Sequence, residues 1–401
     1  MKVSTFRAFR SRNYRLYFFG QSLSLIGTWM QRTAAYWVIY MKTRSALMLG
    51  VAVFATQFPS FLFSLHGGAA ADRFDKYKVM LYSQIASMLQ AIALTVIVMF
   101  TDYTVAEILI LSVVLGVINA FDIPARQALV YYMVDSEEDL GNAIALNSSM
   151  VNLARLVGPA LSGIALETLG AGVCFMINAL SFIAVIASIL SMRLPEFLPQ
   201  RREKKVIEEI KEGINYIWST PELFRVVLMM TLVSLLVMPY LAMFPEIAKK
   251  TLGGNAVTYG YLNSATGVGA ICGTMLLASL KPGTNLRKAL IVITFILGVG
   301  LALFSQAHVL AYSLIFATIA GFGMMTYTTL VNTILQTSSS EEMRGRVISY
   351  FAMAFFGMQP IGALILGSAT HFFNASTALL SQGVIALILG VLFFPKLWGG
   401  E

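Results

Sequence analysis

Long apolar runs recur along almost the whole chain, and only brief polar breaks separate them. A bilayer core about 30 Å thick is spanned by roughly 20 apolar residues in an α-helix, and the chain supplies about twelve such runs. The predicted spans are residues 16–40, 47–66, 79–100, 105–130, 141–166, 171–192, 222–247, 257–280, 288–306, 309–335, 343–369 and 374–395. Since 57% of the 401 residues are hydrophobic and only 12% are charged, no soluble core could enclose this surface. We therefore expect the bilayer to solvate most of it.

The runs predict helices and not the strands of a membrane barrel. A barrel would show alternating apolar and polar residues, which these runs lack. The first run contains Gln21, Gln31 and Arg32 and is too long for the apolar segment of a signal peptide, so we expect it to be retained. The predicted fold class is an all-α membrane protein with twelve transmembrane helices.

The lysines and arginines predict the orientation, because cytoplasmic loops of membrane proteins carry an excess of positive charge. With the N-terminus inside, four cations fall outside, two lie within the membrane, and all the others fall on the cytoplasmic side. The outer four are Lys42, Arg44, Lys249 and Lys250, and the two within the membrane are Arg32 and Arg155. An even helix count then places both termini in the cytoplasm. The net charge of +8 fits contact with lipid headgroups and requires no nucleic acid.

One long polar stretch, Arg193–Thr220, divides the chain near its midpoint. It contains Pro195, Pro199 and the basic run 201–205, and then a helical pattern. The apolar positions of that pattern are Ile207, Ile210, Ile214, Ile217 and Trp218. Their spacing predicts an amphipathic helix along the inner membrane face. We expect an N-terminal six-helix bundle over residues 1–192, a linker over 193–220 and a C-terminal bundle over 221–401.

The two halves share residues at a constant offset. Ser136, Glu137, Glu138, Gly141, Gly158 and Gly163 are each repeated 204 positions later, as Ser340, Glu341, Glu342, Gly345, Gly362 and Gly367. A polar cluster opens a helix in each half, and glycines then permit close helix packing. The pattern predicts a parallel duplication of six helices, which gives two pseudo-symmetric bundles.

Three ionisable side chains, Arg32, Asp122 and Arg155, fall well inside the predicted spans, where an unpaired charge costs several kcal/mol. Counting residues places Arg32 in the outer half, Arg155 near the midplane and Asp122 in the inner half. A carboxylate that binds a proton in one conformation and releases it in another can couple transport to protons, so Asp122 is the candidate for proton coupling. A static ion pair between Asp122 and an arginine is the alternative. Pro124 separates Asp122 from Arg126, so their spacing does not by itself ensure contact.

Two buried cations against one acid predict an anionic or amphipathic substrate. Aromatic and amide side chains in the spans could supply stacking and hydrogen bonds to such a molecule. The candidate substrate-cavity residues are Arg32, Arg155, Trp29, Tyr36, Gln31, Asn119, Asn152, Asn332 and Gln359. Lipid-facing positions are the alternative for the aromatic residues.

The sequence predicts no enzyme, no cofactor and no metal site. His66, His308 and His371 are scattered, and Cys174 and Cys272 lack the spacing of metal ligands. The chain also lacks a phosphate-binding GxxxxGK[ST] loop, so we do not expect it to hydrolyse ATP. Any transport should then be driven by an ion gradient. A membrane receptor or scaffold is the class of protein that competes with a transporter.

The charged segment Gly67–Lys78, GGAAADRFDKYK, resembles the loop between the second and third helices of the major facilitator superfamily. The residues that fill the conserved places of that motif are Gly68, Asp72, Arg73, Lys76 and Lys78, and Asp75 replaces its second glycine. The resemblance implies that Asp72 contacts the start of the eleventh helix, near Glu342–Gly345, and latches the cytoplasmic side in the outward-open state.

The segment Ala154–Gly163, ARLVGPALSG, is similar to a fifth-helix motif of exporters in the same superfamily. Gly158, Pro159 and Gly163 match that motif, whereas Ala154 and Ser162 replace two of its glycines. The resemblance implies export. A packing kink without directional meaning is the alternative, because proline bends a helix and small neighbours let another helix pack into the bend.

Three longer strings, Arg12–Trp37, Phe121–Val130 and Asn142–Gly163, resemble the branch that contains the bacterial enterobactin exporter and macrolide efflux proteins. This resemblance implies a monomer in the bacterial inner membrane that exports a small amphipathic molecule by proton-coupled alternating access. A siderophore or similar organic anion is the expected substrate, with macrolide-like drugs or lysophospholipid as alternatives. The implied partners are the substrate, protons and membrane lipids.

Overall fold

The computed structural model describes residues 6–194, 206–281, 283–370 and 372–398, and within them every regular element is helical. The helices are α1 (Arg12–Thr43), α2 (Ala46–Arg73), α3 (Lys76–Phe100), α4 (Val105–Met133), α5 (Leu140–Thr168), α6 (Ala171–Leu190), α7 (Val206–Ser219), α8 (Pro221–Leu236), α9 (Phe244–Glu246), α10 (Ala256–Ala278), α11 (Leu286–Ser305), α12 (Leu310–Thr337), α13 (Arg344–Ala352), α14 (Met358–Ala369) and α15 (Ala375–Trp398). Pro195, Pro199, the basic run 201–205 and His371 lie outside the described residues.

Eleven helical segments of the described chain are long and apolar enough to cross a membrane. α1 is not among them, although its 32 residues extend about 48 Å. The predicted count of twelve therefore depends on α1. Large apolar side chains such as Ile110, Leu180 and Val391 are more than half exposed, as a lipid-facing surface requires.

Contacts divide the chain into two compact units. Unit 1 comprises Met1–Thr43 with Ala55–Arg201, and unit 2 comprises Arg44–Phe54 with Arg202–Glu401. The start of α2 thus groups with the second half, which the sequence did not predict. In unit 1, α1 packs against α4, α5 and α6, and α3 packs against α4 and α6.

One pair of repeated glycines, Gly158 and Gly362, has equivalent surroundings in the two units. In unit 1, a Cβ added to Gly158 would lie 2.5 Å from Trp29 Cβ and 3.0 Å from the Ile26 carbonyl oxygen, both on α1. In unit 2, a Cβ added to Gly362 would collide with the backbone of Leu235 on α8. Each unit therefore joins its first helix to its fifth through a glycine, which fits two pseudo-symmetric bundles.

Glycines also pack against carbonyl groups that proline leaves without a helical donor. A proline has no N–H for the carbonyl four residues earlier, and this applies to Pro124 in α4 and to Pro239 after α8. Pro124 leaves the Ala120 carbonyl free, and a Cβ added to Gly67 would collide with that oxygen. Pro239 leaves the Leu235 carbonyl free, and a Cβ added to Gly362 would collide with it. A glycine lets a neighbouring helix approach each freed oxygen closely, where Cα–H···O contacts replace part of the lost hydrogen bonding.

The predicted span 222–247 is not one continuous helix. α8 ends at Leu236, a 3-10 turn follows over Met238–Met243, and α9 leads into a π-turn over Ile247–Thr251. Pro239 and Pro245 lie in this segment, and each removes a backbone donor that a regular α-helix would use. The predicted span 343–369 is interrupted similarly by a π-turn over Met353–Gly357.

The segment Gly67–Lys78 is mostly helical, which corrects the prediction of a loop over its whole length. α2 continues to Arg73 and α3 begins at Lys76, so only Phe74 and Asp75 form the turn. Asp75 caps α3, because its side chain accepts a hydrogen bond from the Tyr77 N–H at 2.9 Å. Its φ of −60° is one that any residue adopts, so this turn needs no second glycine.

The linker contains a helix, α7, in the stretch where the sequence pattern predicts one. The Ser340 N–H donates to the Tyr216 hydroxyl at 3.1 Å, and Arg346 pairs with Glu212 at 2.5 Å. Trp218 is exposed on this helix. Helix α7 is thus anchored on the start of α13 in unit 2.

Candidate functional site

An inner polar cluster in unit 1 is centred on Asp122 of α4. The Gln84 side-chain amide donates to Asp122 Oδ1 at 2.7 Å, and Arg126 Nε lies 3.2 Å from Asp122 Oδ2. Asp122 is only 5% exposed. Pro124 lies inside α4 without ending it, so the spacing of four residues does bring the acid and the arginine together.

Two further side chains complete the inner polar cluster. The Tyr17 hydroxyl donates to Asn147 Oδ1 at 3.1 Å, and Tyr17 lies within electrostatic reach of Arg126. The cluster thus comprises Tyr17, Gln84, Asp122, Arg126 and Asn147, from the four helices α1, α3, α4 and α5. A buried carboxylate with one amide and one cationic partner is compensated while the helices keep this arrangement.

The inner polar cluster lies toward one end of unit 1. Tyr17 is five residues from the start of α1, and Asp122 is eleven residues from the end of α4. At 1.5 Å per residue, its members lie about 8 to 17 Å from the helix ends that the charge distribution predicts to be cytoplasmic. The cluster therefore occupies the predicted inner half of the membrane.

An outer aromatic–arginine cluster joins α1 to α5. The Cζ atoms of Arg32 and Arg155 each lie 5.3 Å from the centroid of the Trp29 ring, and Arg32 Cζ lies 5.7 Å from the Tyr36 ring. Cation–π contact stabilises both guanidinium groups, although their like charges repel. We define this outer cluster as Trp29, Arg32, Tyr36 and Arg155.

The segment of α5 around Gly158 positions Arg155. Gly158 follows Arg155 by three residues on the same helix face and packs directly on Trp29. Pro159 lies within α5, and the Ser162 hydroxyl donates to the Met30 carbonyl at 3.0 Å, beside the buried Gly163. Close packing of α5 on α1 therefore brings the second guanidinium to the Trp29 ring.

Arg32 is half-buried, and within the described residues it has no hydrogen-bond or ion-pair partner. Its guanidinium carries five N–H donors. The buried Tyr36 hydroxyl likewise lacks a hydrogen-bond partner in the described part of the chain. Unused donors beside an aromatic ring suit a ligand with an anionic group and a flat apolar part.

The other predicted cavity residues occupy several places. Gln31 is buried and hydrogen-bonds to the amides of Gln90 and Asn178. Asn119 and Asn152 are half-buried, and each lies three residues before a charged residue, Asp122 and Arg155 respectively. Asn332 and Gln359 are half-buried in unit 2, where Asn332 accepts a hydrogen bond from Gln336 at 3.1 Å. The structure thus brings Trp29, Arg32, Tyr36 and Arg155 together, and it places the remaining candidates elsewhere.

Sequence reasoning missed Gln84 and Tyr17. Ser83, Gln84, Ser87 and Gln90 form a polar stripe at helical spacing along α3, and Tyr14, Tyr17, Gln21 and Ser24 form another along α1. All of these side chains are buried. Polar stripes inside apolar runs were the signal that could have found the inner polar cluster. Glu246 was missed as well; it is 4% exposed and pairs with Lys250 at 2.9 Å.

Membrane-spanning helices in two compact units, with charged side chains inside the spans, fit a membrane transporter of the major facilitator class. The chain belongs to the transmembrane secretion effector family of that superfamily, and the family model matches residues 3–397. A solved POT family transporter in complex with 5-aminolevulinic acid shares the fold, with a TM-score of 0.76 and 11% identity over 96% of this chain and 97% of that chain.

Known relatives confirm the branch. The staphyloferrin A transporter of Staphylococcus aureus (strain NCTC 8325 / PS 47) is 23% identical over 94% of this chain and 95% of its own length. Macrolide efflux protein A of Streptococcus pyogenes is 23% identical over 94% of this chain and 95% of its own length. The enterobactin exporter EntS of Escherichia coli O1:K1 / APEC is 24% identical over 94% of this chain and 90% of its own length. The protein is thus a multi-pass membrane transporter of an efflux family and not an enzyme.

Proposed function

We propose that this transporter exports an amphipathic organic anion, a siderophore or a compound of that kind, in exchange for protons. It works as a monomer in a bacterial inner membrane by alternating access of its two bundles. The observation that carries the proposal is the outer cluster, in which Arg32 has aromatic neighbours but no acidic partner among the described residues. Relatives named for siderophores support the same substrate class.

The outer cluster would bind the substrate by charge and by stacking. A carboxylate or catecholate oxygen can accept hydrogen bonds from Arg32, while an aromatic or planar part of the molecule lies against Trp29 and Tyr36. Hydrogen bonds to a charged donor are worth roughly 1.5 to 3 kcal/mol. A cationic drug would lack this gain and would be repelled by both guanidinium groups.

The inner polar cluster would bind the proton. Arg126 stabilises ionised Asp122, and separation of the two during the transport cycle would leave a buried negative charge that a proton can neutralise. Gln84 remains as a donor to the same carboxyl group. Reunion of Asp122 with Arg126 would release the proton on the other side, so one acid links the conformational change to proton movement.

Asp72 would act as the latch on the cytoplasmic side, together with Gly68, Arg73, Lys76 and Lys78. We expect Asp72→Asn to shift the protein toward inward-open states while substrate affinity stays within about twofold, because a ligand-independent contact is lost. Accessibility of single cysteines on the two membrane faces measures the shift. Asp75→Asn is the matched control, because it removes the same charge three residues after Asp72, and asparagine can still cap α3. An equal shift in both variants would contradict the latch.

Reconstituted transport tests the substrate class. Proteoliposomes with an imposed pH gradient should accumulate enterobactin or staphyloferrin A and show counterflow of the labelled compound. Accumulation of erythromycin alone would replace the siderophore with a macrolide, the substrate that the name of one relative supports. Movement of lysophospholipid alone would indicate lipid transport. Binding without counterflow would contradict transport and favour a receptor or scaffold.

A further inference from the structure

A buried chain of amides crosses unit 1 behind the outer cluster. The Asn178 amide donates to Gln31 Oε1 at 2.8 Å, the Gln31 amide donates to Gln90 Oε1 at 2.9 Å, and the Gln90 amide donates to the Leu111 carbonyl at 3.1 Å. Gln31, Gln90 and Asn178 are 3%, 4% and 1% exposed. The chain therefore links α6, α1, α3 and α4 inside the bundle, where unsatisfied amides would be costly.

Gln31 lies on the face of α1 opposite the outer cluster. At about 100° per residue, Gln31 is about 160° around the helix from Trp29, whereas Tyr36 is within about 20° of Trp29 and Arg32 within about 60°. One face of α1 thus presents the aromatic rings and the guanidinium group. The opposite face is fixed by directional hydrogen bonds.

Close packing on both sides leaves α1 little freedom to turn. A Cβ added to Gly27 would lie 2.7 Å from Asn178 Oδ1 and 3.0 Å from Asn178 Cα, so α1 and α6 meet one turn before Gln31. On the other side, Gly158 of α5 packs against Trp29. Rotation of α1 would break the amide chain and would also carry Arg32 away from its position beside Arg155.

We infer that Gln31, Gln90 and Asn178 are positioning residues that fix the rotation of α1 and thereby hold Trp29 and Arg32 in the arrangement that selects anionic substrates. Gln31 then acts through α1 rather than by touching the substrate. Buried polar groups of this kind specify one arrangement of helices among several of similar packing quality. The inference rests on the proposed anion-binding role of Arg32.

A double-mutant cycle tests the inference, with carboxyfluorescein as the probe anion and purified protein in nanodiscs. Gln31→Met removes the central amide at similar side-chain size. We expect Gln31→Met and Arg32→Gln each to weaken carboxyfluorescein binding about tenfold, as residues that share one interaction do. In the Arg32→Gln background, Gln31→Met should change binding by less than about twofold, because the group that it positions is already absent.

Two further variants keep the result interpretable. The triple variant Gln31→Met, Gln90→Met, Asn178→Leu removes all three amides, so none of them is left without a partner, and it should bind carboxyfluorescein as weakly as Gln31→Met. Gln382→Met is the matched control, since Gln382 is a 2% exposed amide of unit 2 without a hydrogen-bond partner in the described residues. It should leave carboxyfluorescein binding unchanged.

The outcomes separate the two levels of the proposal. Equal tenfold losses from Gln31→Met in both backgrounds, or an equal loss from Gln382→Met, would overturn the positioning role and leave the anion site standing. Absence of carboxyfluorescein binding to the wild type, or no effect of Arg32→Gln, would overturn the anion site itself and the inference with it.

Discussion

Replacing Asp122 by asparagine is expected to uncouple export from the proton gradient. One proton moving down one pH unit supplies about 1.4 kcal/mol, which supports about a tenfold substrate gradient. In wild-type proteoliposomes the substrate concentrations on the two sides should differ by about this factor per pH unit and per proton exchanged. In Asp122→Asn no substrate gradient should form, because asparagine cannot exchange a proton. Accumulation of labelled siderophore under an imposed pH gradient measures the effect, and counterflow at equal pH should persist.

The control variants address the charge that Asp122→Asn leaves behind. Removing one partner of a buried ion pair can destabilise a protein by roughly 3 to 5 kcal/mol, so Asp122→Asn with Arg126→Gln provides a charge-balanced second variant. Asp135→Asn makes the same chemical change at an exposed acid after α4 and should leave accumulation intact. Full gradient-driven accumulation by both Asp122 variants would identify the carboxylate as a static ion-pair partner.

Replacing either guanidinium of the outer cluster by glutamine is expected to raise the KM for an anionic siderophore roughly ten- to a hundredfold. Loss of charged hydrogen bonds worth about 1.5 to 3 kcal/mol gives this range. Arg32→Gln should have the larger effect, because Arg32 has only aromatic partners in the described residues. Initial rates of transport against substrate concentration give the KM.

A matched arginine separates this effect from a general change in charge. Arg10→Gln alters an exposed arginine before α1 and should leave the KM within about twofold, because surface charges contribute little. Transport of a neutral macrolide should also be insensitive to Arg32→Gln. An unchanged KM for the siderophore in both Arg32→Gln and Arg155→Gln would contradict anion binding by the outer cluster.

The sequence predicted the positions of most helical spans because the bilayer imposes a simple rule on them. Each span must be apolar and about 20 residues long, and its backbone must be satisfied within the helix. Proline was harder to interpret. Pro124 and Pro159 lie inside continuous helices, whereas α8 ends just before Pro239. The packing around each proline decides whether the helix continues or ends, and the local sequence does not contain the packing.

The site was predictable only in part. Trp29, Arg32 and Tyr36 lie within two turns of one helix, so their shared face followed from helical spacing. The contact of Gln84 with Asp122 joins residues 38 positions apart, and that of Tyr17 with Asn147 joins residues 130 apart. Such contacts depend on which helices pack together and at what depth. The polar stripes along α1 and α3 indicated that partners existed, but not which ones.

In the proposed transport mechanism, an inner acid exchanges protons while an outer pair of guanidinium groups binds an organic anion. Simultaneous recording of proton flux and labelled enterobactin flux in the same proteoliposomes tests it most directly. We expect opposite fluxes that both stop in Asp122→Asn under a pH gradient. In Arg32→Gln, only the enterobactin flux at low enterobactin concentration should fall. Enterobactin flux that proceeds without proton movement in the wild type would contradict it.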